Sequence, residues 1–304
     1  MSVSKTPKLW SPERTMYEES VASGAATLQA SIEIDTMLQG MSDVLRSSRY
    51  STEETVALYR DVDAQIIKYL EAMVQKPADN FTDFYRLVNN ASFFKDKLIL
   101  PVLFGNNKRE ARHRREEAID GIYAKSVEIV EILLTNAYDR IFDTHQSSTE
   151  LREIRGAIQE STIMALLNRE QNGDFVVLPT GTYQDVKQGV DLLAYYIAAD
   201  GGGYMSPISV KSTRSDAEEE KSKYPEKVIL SAAEIDNLDL SVSRLLVREV
   251  AGSPGLNDTE EAIIDQAIAQ LYDSLAAQLQ TKNDTVRLPH RTTQDLRHLA
   301  QISA

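Results

Sequence analysis

Residues 189–213 read GVDLLAYYIAADGGGYMSPISVKST. Val190 to Ile197 forms one strand pattern and Pro207 to Thr213 another, and Asp200-Gly201-Gly202-Gly203 between them turns the chain back. Asp191 stands among Val190, Leu192 and Leu193. A carboxylate there is costly to bury unless it binds something. In the following strand the period of two puts Ser209, Lys211 and Thr213 on one face and Ile208, Val210 and Ser212 on the other. A lysine in mid-strand is as unusual as the aspartate. The short Gly-rich turn allows Asp191 and Lys211 to end up close together.

Outward from this hairpin the pattern extends both ways. Leu151 to Glu170 reads as a helix ended by Asn172-Gly173, Phe175 to Leu178 as a short strand, and Gly181 as a turn. After a polar connection, Lys227 to Leu230 reads as a fourth strand, with helices at about 238–250 and 259–281. This order predicts an α/β or α+β layer arrangement with its mixed sheet confined to the C-terminal half. On the 151–170 helix, Glu153, Ala157, Glu160, Met164 and Leu167 recur at steps of four and three. Two glutamates therefore share an otherwise apolar stripe, and Glu160 is the better placed. Asp185-Val186-Lys187 mimics an acid–x–Lys motif but falls in an expected turn and is set aside.

Residues 12–146 read as helix after helix. Leu28, Ile32, Ile34, Met37, Leu38 and Met41 share helical spacing. Ser51-Thr52-Glu53-Glu54 has the form of a capping box ahead of Val56, Leu58, Val62 and Ile66. Pro77 to Asn80 breaks the pattern, a helix follows at about 81–94, and Pro101 and Gly105-Asn106-Asn107 punctuate the next segment. A long helix then runs from about Lys108 to Phe142. The expected division is an all-helical recognition or association domain at 1–146 and an α/β domain at 147–304.

The 304 residues fit roughly two domains at about 150 residues each. Lys plus Arg number 33 against 46 for Asp plus Glu, a formal net charge of −13. Bulk repulsion excludes a general coater of nucleic acid and leaves a local site open. The absence of cysteine excludes disulfides, thiolate zinc sites and cysteine nucleophiles, and fits a cytoplasmic protein. No apolar run is long enough to span a bilayer, so no membrane association is expected, and Met1 to Pro7 does not read as a secretory signal. The four histidines are scattered, and no GxxxxGK(S/T), GxGxxG, GxSxG or HExxH pattern occurs.

Helix-borne Glu160, strand-borne Asp191 and the Ser209-Val210-Lys211 strand, in this order, resemble the PD-(D/E)XK nuclease superfamily, the restriction-endonuclease-like fold. The resemblance covers about residues 148–250. It implies a Mg²⁺- or Mn²⁺-dependent nuclease acting on DNA, in a restriction, defence or mobile-element setting. Asp191 would then be the central metal ligand, Glu160 a second, and the Val210 carbonyl a third. Lys211 would orient the attacking water or stabilise the phosphate. The departure is Ser209, where the family usually places Glu or Gln. Some restriction enzymes with Ser-x-Lys draw a glutamate from further along the chain, and Glu226 is nearest to the expected distance here.

Lys108, Arg109, Arg112, Arg114 and Arg115 form the densest basic stretch. Cations are mildly disfavoured at a helix N-terminus, which motivates a phosphate-contact reading. The bland alternative is a solvated helix end paired with Glu116 and Glu117. The acidic run Asp216 to Glu220 reads as a solvated helix face. Arg287, His290, Arg291, Arg297 and His298 make a mildly basic tail, either disordered or touching nucleic acid. The rival to the nuclease is an interaction protein, with a degenerate nuclease fold or an unrelated one, that assembles with itself or a partner through its helices.

Overall fold

The computed structural model describes residues 26–47, 49–75, 81–141, 148–169, 174–225, 227–235, 240–252, 255–279, 285–290 and 293–303. The breaks read at Pro77 to Asn80 and at Asn172-Gly173, and the candidate Glu226, lie outside these residues.

Five helices lead: α1 (Ala26–Arg46), α2 (Thr52–Gln75), α3 (Phe81–Ser92), α4 (Phe94–Phe104) and α5 (Arg109–Ile141). The capping box forms as read. Ser51 N–H donates to the Glu54 carboxylate at 2.8 Å, and Glu54 N–H donates to Ser51 Oγ at 3.2 Å. Pro101 does not end α4, which continues to Phe104 with Gly105 as its cap. Nine of its eleven residues are buried, Asp96 and Lys97 among them, as befits an interior helix. On α5, Ile119, Ile122, Ser126, Ile129, Leu133 and Ala137 recur at threes and fours and are all buried.

Then come α6 (Ser148–Arg169), β1 (Phe175–Pro179), α7 (Thr182–Gln188), β2 (Leu192–Ile197), β3 (Gly203–Lys211), α8 (Arg214–Lys223) and β4 (Val228–Ser231). The chain continues through α9 (Leu240–Ala251), α10 (Asp258–Leu279), β5 (Val286–Arg287) and α11 (Thr293–Ser303). The sheet runs β1-β2-β3-β4, with β5 pairing β3. β1, β2 and β3 are antiparallel neighbours, and β4 joins β3 in parallel through α8. Val176, Val177 and Leu178 of β1, and Val228, Ile229 and Leu230 of β4, are buried along their whole length, so both faces of the sheet are covered.

Three readings change. α7 stands where the sequence suggests only a turn. β3 begins at Gly203, four residues before Pro207. Pro207 opposes no strand on its outer side, because Tyr204–Met205 pair with β5 and the β4 pairing starts at Ile208. The basic tail is ordered from Thr293 into α11, whose Leu296, Leu299 and Ile302 are buried. Asp216 to Glu220 does lie on a helix, α8, with the Asp216 N–H capped by Thr213 Oγ1 at 3.1 Å.

Gly203 marks where the helices meet the sheet. A Cβ there would lie 1.8 Å from the Phe104 carbonyl oxygen, a gap no side chain fits. Next to it the Phe104 and Tyr195 rings meet at 6.0 Å. One buried cluster joins Phe93, Leu100 and Phe104 to Ile163, Val177, Leu192 and Leu230. It therefore runs across the boundary expected at 146/147, which itself falls outside the described residues.

Candidate functional site

The site is built around the start of β2. The Asp191 N–H donates to the Ile208 carbonyl on β3 and its carbonyl accepts from the Thr180 N–H after β1, both at 3.0 Å. Its backbone is thus fixed from both sides. The Leu192–Ile208 pairing sets Asp191 against Ser209. Ser209 Oγ donates to the Gly189 carbonyl at 2.6 Å and lies 3.4 Å from Asp191 Oδ2, which also accepts the Val210 N–H at 2.6 Å. The Val210 peptide therefore meets the cleft through its N–H, where the resemblance implies its carbonyl.

Glu160 reaches the same place from α6, while Glu153 on the same helix is exposed. Burial pushes the Glu160 carboxyl well above the usual range, and the negative charges of Asp191 and then Asp185 push it further. Burial also raises Asp191, to about 6; Lys211 and the Val210 N–H pull it down, and Asp185 opposes them. Glu160, Asp191 and Lys211 therefore share one electrostatic neighbourhood. Among the described residues the Lys211 ammonium makes no hydrogen bond and no ion pair within 4 Å, so it can turn to an incoming group.

The other wall comes from the N-terminal helices, which the sequence reading left without a role in the site. The Tyr85 hydroxyl of α3 donates to Glu160. Arg86 donates from Nε to Asp185 Oδ2 at 2.5 Å and from Nη1 to Asp83 at 3.1 Å. Beside them Asn90 donates to Ser31 and Thr182 and accepts from Lys97 Nζ at 2.7 Å. Lys97 Nζ also donates to the Thr180 carbonyl at 3.0 Å, tying α4 to the residue that holds Asp191. The one legible signal was Asn89-Asn90 between Val88 and Ala91, two amides inside a buried stretch of helix.

A cavity of about 10 Å³ is lined by Tyr85, Asn89, Glu160, Thr180, Asp185 and Asp191 among others. That is room for roughly one water-sized sphere. Asn89 is 3% exposed, and its Oδ1 has no hydrogen-bond partner. Carboxylate and amide oxygens are the ligand type that a hard divalent cation takes. Among the described residues, no group of three or more His, Cys, Asp or Glu side chains is placed to hold a metal ion.

The basic stretch divides. Lys108 and Arg109 are exposed. Arg112 pairs with Glu116 at 3.1 Å and Arg114 with Glu110 at 3.0 Å. Arg115 is buried, donates to the Leu103 and Asn106 carbonyls at 3.1 and 2.9 Å, and lies over the Phe104 ring. Its guanidinium closes the end of α4, where a phosphate cannot reach it. No helix among the described residues is long and apolar enough to cross a membrane. Comparison of the chain with protein-family models, with curated proteins and with solved structures finds no match.

Proposed function

We propose that this chain is a metal-dependent nuclease of the PD-(D/E)XK type, hydrolysing phosphodiester bonds of DNA. The observation that carries the reading is that Glu160 and Asp191 line one cavity, with Lys211 on β3 near enough for its charge to act on Asp191. The succession α6, β1, β2, β3, with the acids on α6 and at the start of β2 and the lysine on β3, supports it as well. So does the parallel return of β4 through α8. Asp191 and Glu160 would hold Mg²⁺ or Mn²⁺. A cation bound there supplies neutralisation of the phosphate and a lowered pKa for the attacking water. Lys211 then orients that water or meets the developing charge on phosphate. Ser209 keeps Asp191 in place by a weak hydrogen bond and adds no carboxylate. Exposed Lys108 and Arg109 are candidate contacts for the DNA backbone.

A second reading, a binding protein on a nuclease-like frame without activity, is favoured by the unassembled ligand set and the net charge of −13. The separating experiment is cleavage of DNA by the purified chain in Mn²⁺. Asp191→Ala is expected to abolish cutting. Lys211→Ala is expected to lower the rate by about 10²-fold or more, the scale of one positioned catalytic group, while Mn²⁺ binding persists. Absence of cutting by the unaltered chain in both Mn²⁺ and Mg²⁺ favours the binding protein.

A further inference from the structure

The strand register draws a row of ring surfaces across one face of the sheet. Phe175 of β1 stands opposite Tyr196 of β2, Tyr196 opposite Tyr204 of β3, and Tyr204 opposite Arg287 of β5. Residues directly opposite share a face, so the four side chains form one line. The Tyr196 and Tyr204 rings stack at 5.8 Å with their planes 24° apart, and the Arg287 guanidinium lies 5.9 Å from the Tyr204 ring centre. The three rings are half-buried, and the Arg287 side chain is 68% exposed. Alternation along β2 puts Tyr196 on the face opposite to Asp191, so the row is separate from the cleft.

At the Arg287 end of the row a cavity of about 410 Å³ opens between the end of α4 and the Gly-rich turn. Asn107, Arg287, His290 and the backbone of Gly201, Gly202 and Gly203 line it, with no carboxylate among the described lining residues. A Cβ on Gly202 would lie 3.0 Å from Tyr204 Cε2 and 3.3 Å from Arg287 Nε, so the bare backbone there brings the cavity wall against the row. Exposed Lys108 and Arg109 follow Asn107 directly. In a chain of net charge −13 this is a local surplus of cations. Arg287 is loosely committed: Asp200 Oδ2 stands 3.9 Å away and also accepts the Tyr204 hydroxyl at 2.8 Å. Aromatic rings stack any nucleobase, and a guanidinium fork matches phosphate.

We infer that the Tyr196–Tyr204–Arg287 row and its cavity bind a nucleotide, with the base against the rings and the phosphate on Arg287 in place of Asp200. The ligand is a free nucleotide or one unit of a single strand. The inference does not rest on the nuclease reading.

The test is binding by the full chain in EDTA, which silences metal-dependent cleavage. The probes are a labelled oligodeoxyadenylate, followed by fluorescence anisotropy, and dAMP, followed by calorimetry. Tyr204→Ala and Arg287→Ala are each expected to weaken binding about tenfold or more, the scale of one stacked base or one charged contact. Tyr204→Phe keeps the ring and should bind as the unaltered chain does. Asp200→Asn should tighten binding roughly threefold, the scale of an exposed ion pair, because Arg287 loses its competing carboxylate. With those losses in Tyr204→Ala and Arg287→Ala, equal affinity for dAMP and the strand identifies a free nucleotide, and binding of the strand alone identifies single-stranded nucleic acid. A merely structural row predicts a lower urea midpoint for Tyr204→Ala with affinity unchanged. The inference falls if neither probe binds at millimolar concentration, or if folded Tyr204→Ala and Arg287→Ala bind as the unaltered chain does. It falls too if binding is lost in Asp191→Ala and kept in Tyr204→Ala, which assigns the strand to the cleft.

Discussion

Asp191 is where the fold and the proposed chemistry pull in opposite directions. Folding raises its carboxyl from the ordinary 3.8 to about 6. Between those values the folded chain holds the proton more readily than the unfolded one. The stability linked to protonated Asp191 is therefore complete below about pH 4 and is lost as pH rises through about 6. The loss is on the order of 3 kcal/mol for a shift of about two units. Urea titrations in EDTA from pH 4.5 to 7.5 should show stability falling on this limb. Asp191→Asn, which keeps an oxygen for the Val210 N–H, should flatten it. A limb of equal slope in the variant contradicts the assignment. Lys97 gives the opposite sign. Burial lowers its amine to about 8, against the pull of Asp35 and Asp96. The unfolded chain then binds more protons between about pH 8 and 10.5, so this residue makes stability rise with pH there. Lys97→Met should remove that rise between pH 8 and 9.5. Both oddities involve charges among apolar neighbours. For Asp191 the sequence shows this, because its flanks are Val and Leu. Lys97 is hidden, because the Thr180 carbonyl it donates to lies far along the chain.

At the scale of elements, the structure singles out the Gly203 junction and the Ser51 cap. Gly203→Ala forces a methyl against the Phe104 carbonyl and should cost about 1–3 kcal/mol, as overpacking does. Gly121→Ala, in an exposed turn of α5 with nothing within 4 Å, should instead stabilise by about 0.5–1 kcal/mol through helix propensity. Ser51→Ala removes a cap worth about 1 kcal/mol. Urea midpoints of the three variants check both signs. The hairpin, the α6 stripe and the capping box were legible because each is written in local periodicity or turn chemistry. α7 was not, since Thr182 to Gln188 carries no apolar period and only Thr182 is buried. α11 was missed for a related reason: Leu296, Leu299 and Ile302 are few, and basic residues interleave them.

At the scale of the molecule, the continuous core from α4 into the sheet predicts that the helical half and the sheet unfold together. A single urea transition, coincident by tyrosine fluorescence and far-ultraviolet circular dichroism, is the expected outcome. Two separated transitions would restore the independent domains that the sequence suggests. The sequence could name Glu160, Asp191 and Lys211 because each breaks a local pattern. It could not name Tyr85 or Arg86, because their part in the cleft exists only once α3 packs against α6. The central claim is that this cleft is a nuclease site built round Asp191. Its most direct test is the initial rate of nicking of supercoiled DNA in Mn²⁺ by the Ser209→Glu variant, beside the unaltered chain and beside Ser209→Glu carrying Asp191→Ala. A glutamate opposite Asp191 should preserve or raise the rate, and loss of Asp191 should abolish it. If neither the unaltered chain nor Ser209→Glu nicks DNA, the cleft is not a nuclease site.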